Sequence, residues 1–165
     1  GWFQGRLEWG PRALGNRSLL ADPRRADMKM ILNERIKKRE HFRPFAPSVL
    51  EDQAVEWFVT PKDCTSISTE SMVVNFDVKK HMRERIPAVT HVDGTSRVQF
   101  VSKKTNPLYY KLISNFYKRT GVPMVLNTSF NDNEPIVCSP DDAITTFLRT
   151  KMDYLAIGDY LVSKT

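Results

Sequence analysis

The sequence has no apolar run near the roughly 18–20 residues that span a bilayer, so no membrane-crossing helix is expected. It has only two cysteines, Cys64 and Cys138, far apart and in no CxxC pair. With three histidines, none at zinc spacing, this argues against a structural zinc site and for free thiols in a reducing cytoplasm. There is no GxxxxGK[ST] loop, no dinucleotide fingerprint, no G-x-S-x-G, no HExxH and no EF-hand. Acids do not cluster with histidine, so no metal centre is expected within the chain. Repeats and low-complexity tracts are missing too. The first residues, Gly1-Trp2-Phe3-Gln4-Gly5, carry neither a basic lead nor an apolar core, unlike a signal peptide. Trp2 and Phe3 fit a strand, and the expectation is that residues preceding them have been removed from a longer chain.

What is present suits one α/β domain of 165 residues with a real core, 41% hydrophobic and 27% charged. The charge is uneven. Residues 1–45 hold 11 lysines and arginines against 5 acids, whereas residues 46–165 hold 14 against 14, so the whole net charge of +6 sits in the first 45 residues. Such a field attracts polyanions, either a phosphorylated small ligand or nucleic acid; a solvated basic face is the plainer alternative.

The element pattern begins with a looped stretch over residues 1–23. A helix follows, with Asp22 as its cap, Pro23 in its first turn and Met28, Ile31, Leu32 and Ile36 as its stripe. Two prolines then force an extended run through Leu50. Residues 54–58 read as a short helix, 60–71 as a loop, 72–78 as a strand and 97–101 as another strand. Asn106-Pro107 opens a helix that ends at Gly121. A short strand spans 123–126. Ser139-Pro140-Asp141-Asp142 is a capping box before a helix whose expected buried stripe is Ala143, Ile144, Phe147 and Leu148. Residues 154–163 close as strand around Gly158. Strands alternating with helices imply an open, twisted, partly parallel sheet with flanking helices.

Four segments could carry chemistry. In Glu8 to Ser18, two glycines bracket Arg12, and Asn16-Arg17-Ser18 follows; glycines admit close approach to a ligand and arginines fork onto phosphate, although a tight turn with surface arginines gives the same pattern. In Lys37 to Pro47, cations leave a helix end, where they favour its dipole, and enter a stiff segment. There Arg43, between aromatics and before a proline, should be held and aimed at an anion, whether an internal carboxylate or a ligand. In His91 to Gln99, Asp93-Gly94 signals a turn, Arg97 and Gln99 share a face if the strand is continuous, and His91 is either structural or a weak acid–base candidate. In Leu126 to Asn131, a buried strand runs into Asn127, Ser129 and Asn131, which can bond a phosphate, ribose or carbonyl at a strand's carboxyl end, or simply close a turn.

Together these segments, GWFQGRLEWGPRALGNRSLLADPR at 1–24, REHFRPFAPSVL at 39–50, HVDGTSRVQ at 91–99 and TGVPMVLNTSFNDNEPIV at 120–137, resemble the C-terminal domain of the O-carbamoyltransferase family over essentially the whole chain. The resemblance implies a YrdC-like fold, similar to threonylcarbamoyl-AMP synthases, around a positively charged cavity. That fold uses Lys-x-Arg and Ser-x-Asn signatures, which Lys37-x-Arg39 and Ser129-x-Asn131 look like. It also implies that ATP, arriving with Mg²⁺, and carbamoyl phosphate meet here to give carbamoyl adenylate and pyrophosphate. The carbamoyl group would then pass to a hydroxyl held by an N-terminal ASKHA-type domain, the expected partner.

On that reading Lys37, Arg39, Arg43 and Ser129 are candidate catalytic residues. Arg12, Asn16, Arg17, Arg97, Asn127 and Asn131 are candidate binders of nucleotide and carbamoyl phosphate, and no metal ligand is expected. Bringing two anionic reactants together calls for fixed cations and donors rather than an acid–base pair. Two other readings stay open: an RNA-binding module using the basic first third, and an interaction domain inactive without its partner, with Trp2, Phe3 and Trp9 at the interface. The RNA reading comes second and the interaction domain third; against RNA, aromatics do not interleave with the charges as in RRM, KH or cold-shock modules.

Overall fold

The structure is a computed structural model that describes residues 1–61 and 66–164, the side chains of 66 and 67 excepted. In chain order the elements are β1 (Trp2–Phe3), β2 (Arg17–Ala21), α1 (Met28–Leu32) running into a π-helical turn (Asn33–Lys37), β3 (Ala46–Leu50), a 3₁₀ turn (Glu51–Gln53), α2 (Ala54–Trp57) and β4 (Phe58–Val59). Then come α3 (Ser66–Glu70), β5 (Asn75–Val78), a 3₁₀ stretch (Lys80–Arg85), β6 (Thr95–Arg97), β7 (Gln99–Val101), α4 (Pro107–Thr120), β8 (Met124–Ser129), α5 (Pro140–Arg149), β9 (Tyr154–Ile157) and β10 (Tyr160–Ser163).

A seven-stranded sheet runs β10-β9-β1-β2-β8-β3-β7, and a smaller sheet runs β4-β5-β6. The large sheet is mixed: β1 is parallel to β9 and β3 to β7, while β8 pairs antiparallel with β2 and with β3. It is open, with β10 and β7 at its edges. The expected α/β architecture with an open, partly parallel sheet is what the chain adopts.

Side chains alternate across that sheet with the period of two that a pleated strand imposes. Phe3, Leu19, Val49, Phe100 and Met124 join one core cluster. Their chain neighbours Trp2, Leu20, Leu50, Val101 and Val125 join a second, which Tyr109 and Ile113 of α4 cover. The caps of α4 and α5 follow their sequence signals. Asn106 accepts from the Tyr109 N–H and Gly121 turns left-handed at φ 70°, while Ser139 and Asp142 form the reciprocal box.

Several local expectations are corrected. Asp22 does not cap a helix; it holds Arg24 in a salt bridge at 2.6 Å, and α1 starts at Met28 after Asp27. The loop expected over 60–71 contains α3, with residues 62–65, including Cys64, outside the described residues. On α5, Ile144 and Leu148 are exposed, and Thr146 is buried with Ala143 and Phe147. The last segment is a hairpin, β9 turning at Gly158 into β10. The strand expected over 97–101 breaks at the fully buried Val98, because β6 pairs with β5 in the small sheet and β7 with β3 in the large one. Arg97 and Gln99 therefore share no strand face.

Gly15 serves packing rather than ligand approach. Its φ is +106°, and a Cβ there would lie 2.2 Å from the Tyr109 ring. Gly10, at φ +118°, has open space around it. Gly15→Ala is expected to lower stability by about 3 kcal/mol, combining left-handed strain with overpacking, and Gly10→Ala by clearly less. Urea unfolding of the two variants checks the order, and equal losses would contradict it.

Candidate functional site

One end of the large sheet opens into a polar cleft of ≈ 500 Å³ between the C-terminal end of β8, the start of β3, the end of β6 and the loop before β2. Of the residues expected at a site, Arg12, Lys37, Arg39, Arg43, Arg97, Asn127, Ser129 and Asn131 line it, and Asn16 and Arg17 do not. Five of the eleven cations in residues 1–45, namely Arg12, Lys37, Lys38, Arg39 and Arg43, face this cleft. Arg24 and Arg25 pair with Asp22 and Asp27. The basic excess is thus a pocket lining together with local pairs, not a continuous stripe.

Lys37 sits in the π-helical turn, which ends at Lys38 in a left-handed conformation of φ 45°. Buried at 4% exposure, its ammonium donates to the Ser129 carbonyl (2.6 Å), the Asn131 carbonyl (3.0 Å) and Asn131 Oδ1 (2.6 Å). All three donors are therefore satisfied by protein, and the Asn131 amide in turn donates to the Glu134 carbonyl. Lys37 and Asn131 shape the cleft wall instead of presenting free donors to it. The Lys-x-Arg and Ser-x-Asn segments nevertheless meet in space through this contact. Beside them, Lys38 bridges to Asp132 at 3.0 Å.

Arg39 is anchored through Nε to Asn33 Oδ1 at 2.8 Å and lies 4.9 Å from the centroid of the Phe45 ring. Its terminal nitrogens have no partner among the described residues. Arg43 is not pinned between aromatics: both it and Phe42 are exposed, and its Nε lies 3.2 Å from Glu40 Oε2, the internal carboxylate partner. Arg97 is half-buried, its Nε is sealed from solvent, and no described residue bonds or pairs with its guanidinium. Burial and the neighbouring charge of Arg12 both push its pKa down. Ser129 turns its carbonyl to Lys37, and its hydroxyl has no bond among the described residues.

Arg17 is a structural residue. Its guanidinium stacks 3.6 Å from the Phe3 ring centroid and donates to the carbonyls of Gln4, Gly5 and Asn16. The Asn16 amide donates to the Arg6 carbonyl, and its oxygen accepts from Asn106. His91 is structural as well, sitting 3.1 Å from the Thr95 hydroxyl within the turn that Asp93 closes by accepting from the Thr95 N–H.

Sequence reasoning missed the residue that shapes the loop before β2. Glu8 Oε1 accepts from the main-chain N–H of Leu14, Asn16 and Arg17 at 2.8, 2.7 and 3.1 Å. The loop so folded presents the Ala13 and Leu14 carbonyls to a buried polar chain across β8, β3 and β7. In that chain Asn127 Nδ2 donates to the Ala13 carbonyl and to Ser48 Oγ (both 2.9 Å), Ser48 donates to Gln99 Oε1 (2.6 Å), and Gln99 Nε2 donates to the Leu14 carbonyl (2.8 Å). Of this frame the sequence singles out Asn127 and Gln99, as residues at strand positions, while Ser48 carries no signal of its own.

Burial, then the charge of Arg39, pushes the Lys37 pKa down from 10.5 to about 7. Between those values the unfolded chain holds a proton that the folded chain does not, so stability rises with pH through this window and its slope vanishes below it. From pH 7 to pH 9 the native protein should gain up to about 2 kcal/mol relative to Lys37→Met. Denaturant midpoints at the two pH values measure it, and a difference that does not change with pH would contradict the assignment. Lysine ε-carbon NMR should also show one amine titrating near neutrality.

The family described as "Carbamoyltransferase C-terminus" matches residues 1–164. Nodulation protein NolO of Bradyrhizobium diazoefficiens is 54% identical over 165 residues, covering 99% of this chain and 30% of that protein. Nodulation protein NolNO of Sinorhizobium fredii is 55% identical over 99% of this chain and 24% of its own length. Nodulation protein U of Rhizobium tropici is 43% identical over 79% of the chain. The chain spans less than a third of the length of these relatives. With the match running from the first strand through the last, the chain belongs to the carbamoyltransferase C-terminal family.

Proposed function

We propose that this domain handles nucleotide and carbamoyl phosphate within a longer carbamoyltransferase. Carbamoyl adenylate would form here before the carbamoyl group passes to an acceptor hydroxyl on the rest of the polypeptide. The observation that carries this reading is the half-buried, unpartnered guanidinium of Arg97, in a cleft that also holds Arg12 and Arg39. Packing cations where water is scarce is unfavourable unless an anion joins them. A phosphorylated ligand supplies that anion, and fixed arginines are matched to it geometrically.

The chemistry balances as follows. Adenylation with loss of pyrophosphate needs an oxygen nucleophile at the α-phosphorus of ATP. Carbamoyl phosphate furnishes one as carbamate once water has taken its phosphoryl group as inorganic phosphate. The carbamate oxygen bonds to the α-phosphorus and pyrophosphate leaves. The acceptor hydroxyl then attacks the carbamoyl carbon, AMP departs and the hydroxyl proton is lost. Arg97 and Arg39 stabilise charge on the phosphoryl oxygens, the Ser129 hydroxyl donates a hydrogen bond, and Arg12 and Arg43 guide anions at the rim. Lys37 and Asn131 hold the wall. Mg²⁺ enters with ATP as part of the substrate. An ASKHA-type domain is the partner this reading assigns to the remaining length, and the YrdC-like likeness extends to the use of the Lys-x-Arg and Ser-x-Asn pairs.

Isothermal titration of the chain with ATP and Mg²⁺, and with carbamoyl phosphate, tests the proposal. Arg97→Ala should weaken binding roughly 10–100-fold, the loss of one or two charge-assisted hydrogen bonds. Arg43→Ala, exposed and paired to Glu40, should weaken it no more than about threefold. Saturable binding unchanged in both Arg97→Ala and Arg39→Ala would overturn the assignment of the site. A steep loss of affinity with salt, with preference for RNA over mononucleotide, would point to the nucleic-acid reading instead.

A further inference from the structure

Away from the polar cleft, the large sheet holds a slot between β2 and β9. β1 lies between those two strands, yet it pairs with β2 only through Trp2 and Phe3, opposite Ser18 and Arg17. β2 runs on to Ala21 and keeps its other neighbour, β8, along that length. Residues of an antiparallel strand turn their main-chain polar groups to its two neighbours alternately. The Phe130 N–H donates to the Arg17 carbonyl on the β8 side, and the Gln4 N–H donates to the Asn16 carbonyl on the β1 side. By the same alternation Leu20 turns its N–H and C=O to the β1 side, beyond Ser18, where no described strand pairs with it. The opposite wall repeats the pattern. The Tyr154 carbonyl accepts from the Gly1 nitrogen at 2.7 Å, and the Ala156 N–H donates to the Gly1 carbonyl at 2.8 Å. The Tyr154 N–H therefore faces the same line one step further on, again with no described strand opposite.

These groups edge a cavity of ≈ 550 Å³. Leu20 and Leu112 line it on one face of the sheet, and Leu19, Leu32 and Met152 on the other. A strand covered on both faces is apolar at successive positions and not only at alternate ones. Main-chain donors and acceptors set between apolar walls are matched by another main chain. The nodulation relatives extend for more than two-thirds of their length beyond the matched part. We infer that an extended, apolar segment from the rest of the carbamoyltransferase polypeptide fills this slot in line with β1, antiparallel to β2 and parallel to β9, bonding Leu20 on one side and Tyr154 on the other. The rest of the polypeptide is then joined to this domain through a shared sheet and not by a loose linker. Its position is registered on β2, the strand that leads out of the loop carrying Arg12, so the cleft sits at a fixed distance from it.

Amide hydrogen exchange, read residue by residue, compares the full-length polypeptide with the 165-residue chain. The Leu20 and Tyr154 amides should be protected together in the full-length protein, exchanging about 100-fold or more slowly than in the chain. The Leu19 and Ala21 amides, which face β8, should be protected in both. If circular dichroism finds the isolated chain unfolded, the full-length rates decide alone, and Leu20 and Tyr154 must then exchange as slowly as Leu19 and Ala21. Fast exchange at both amides in the full-length protein overturns the inference. Protection of one without the other overturns it as well, since a segment laid over one face of the sheet cannot bond both walls. Paired protection in the 165-residue chain that rises with its concentration gives the slot to a second copy and overturns the assignment to the same polypeptide.

Discussion

The ammonium of Lys37 grips the end of β8, and the cleft takes its form from that contact. Ser129 and Asn131 lie at the strand's exit, where main-chain carbonyls lose their sheet partners and must find donors elsewhere. Lys37 supplies all three of its hydrogens to them from the far side of the cleft. The chain between residues 37 and 46 thus bends over the strand end, carrying Arg39 and Arg43 with it. Desolvation opposes the buried charge, and three oxygens within hydrogen-bonding distance offset it. A lysine held this way is a strut: its removal would release the wall on which the neighbouring arginines depend.

Two further constraints complete the frame. Glu8 gathers three main-chain N–H groups and so sets the loop that carries Arg12 and Ala13. The chain of amides and hydroxyl through Asn127, Ser48 and Gln99 then ties that loop to three adjacent strands. Buried polar chains of this kind specify one arrangement, because any slip leaves a polar atom unpaired in low dielectric. Of the buried polar atoms without a hydrogen-bond partner among the described residues, Arg97 Nε, Asn127 Oδ1 and Asp132 Oδ1 belong to residues that line the cleft, and Glu8 Oε2, Arg17 Nε and the Tyr109 hydroxyl lie elsewhere. The site is organised to hold charge and direct hydrogen bonds.

Much of the fold was legible because it follows from local rules. The Asn106 and Ser139 caps, the proline-stiffened run into β3 and the apolar β8 each carry their signal within a few residues. The errors have physical causes. Val98 lies between the two strands but is an apolar, β-branched residue that suits a strand, so nothing in Arg97 to Val101 reveals that the chain changes sheet there. Ile144 and Leu148 match helical periodicity but fall on an exposed face, since α5 packs through Ala143 and Thr146. Arginine identity predicted charge but not role. Arg17, Arg43 and Arg97 looked alike in sequence; one stacks on Phe3, one pairs with Glu40 and one is left without a partner, and only tertiary contact separates them. Glu8 was unreadable because an acid in a loop gives no local sign of the main-chain groups it will gather.

The central claim is that the Lys37-braced cleft is an anion site in which Arg97 is the half-buried cation without a partner. A crystal structure of the chain grown with carbamoyl phosphate tests it most directly. The account predicts a phosphoryl group within hydrogen-bonding distance of the Arg97 guanidinium and the Ser129 hydroxyl, with Lys37 still bonded to Ser129 and Asn131. A phosphoryl group bound elsewhere while this cleft stays empty, or one that draws Lys37 away from the strand end to bind it directly, would contradict the account.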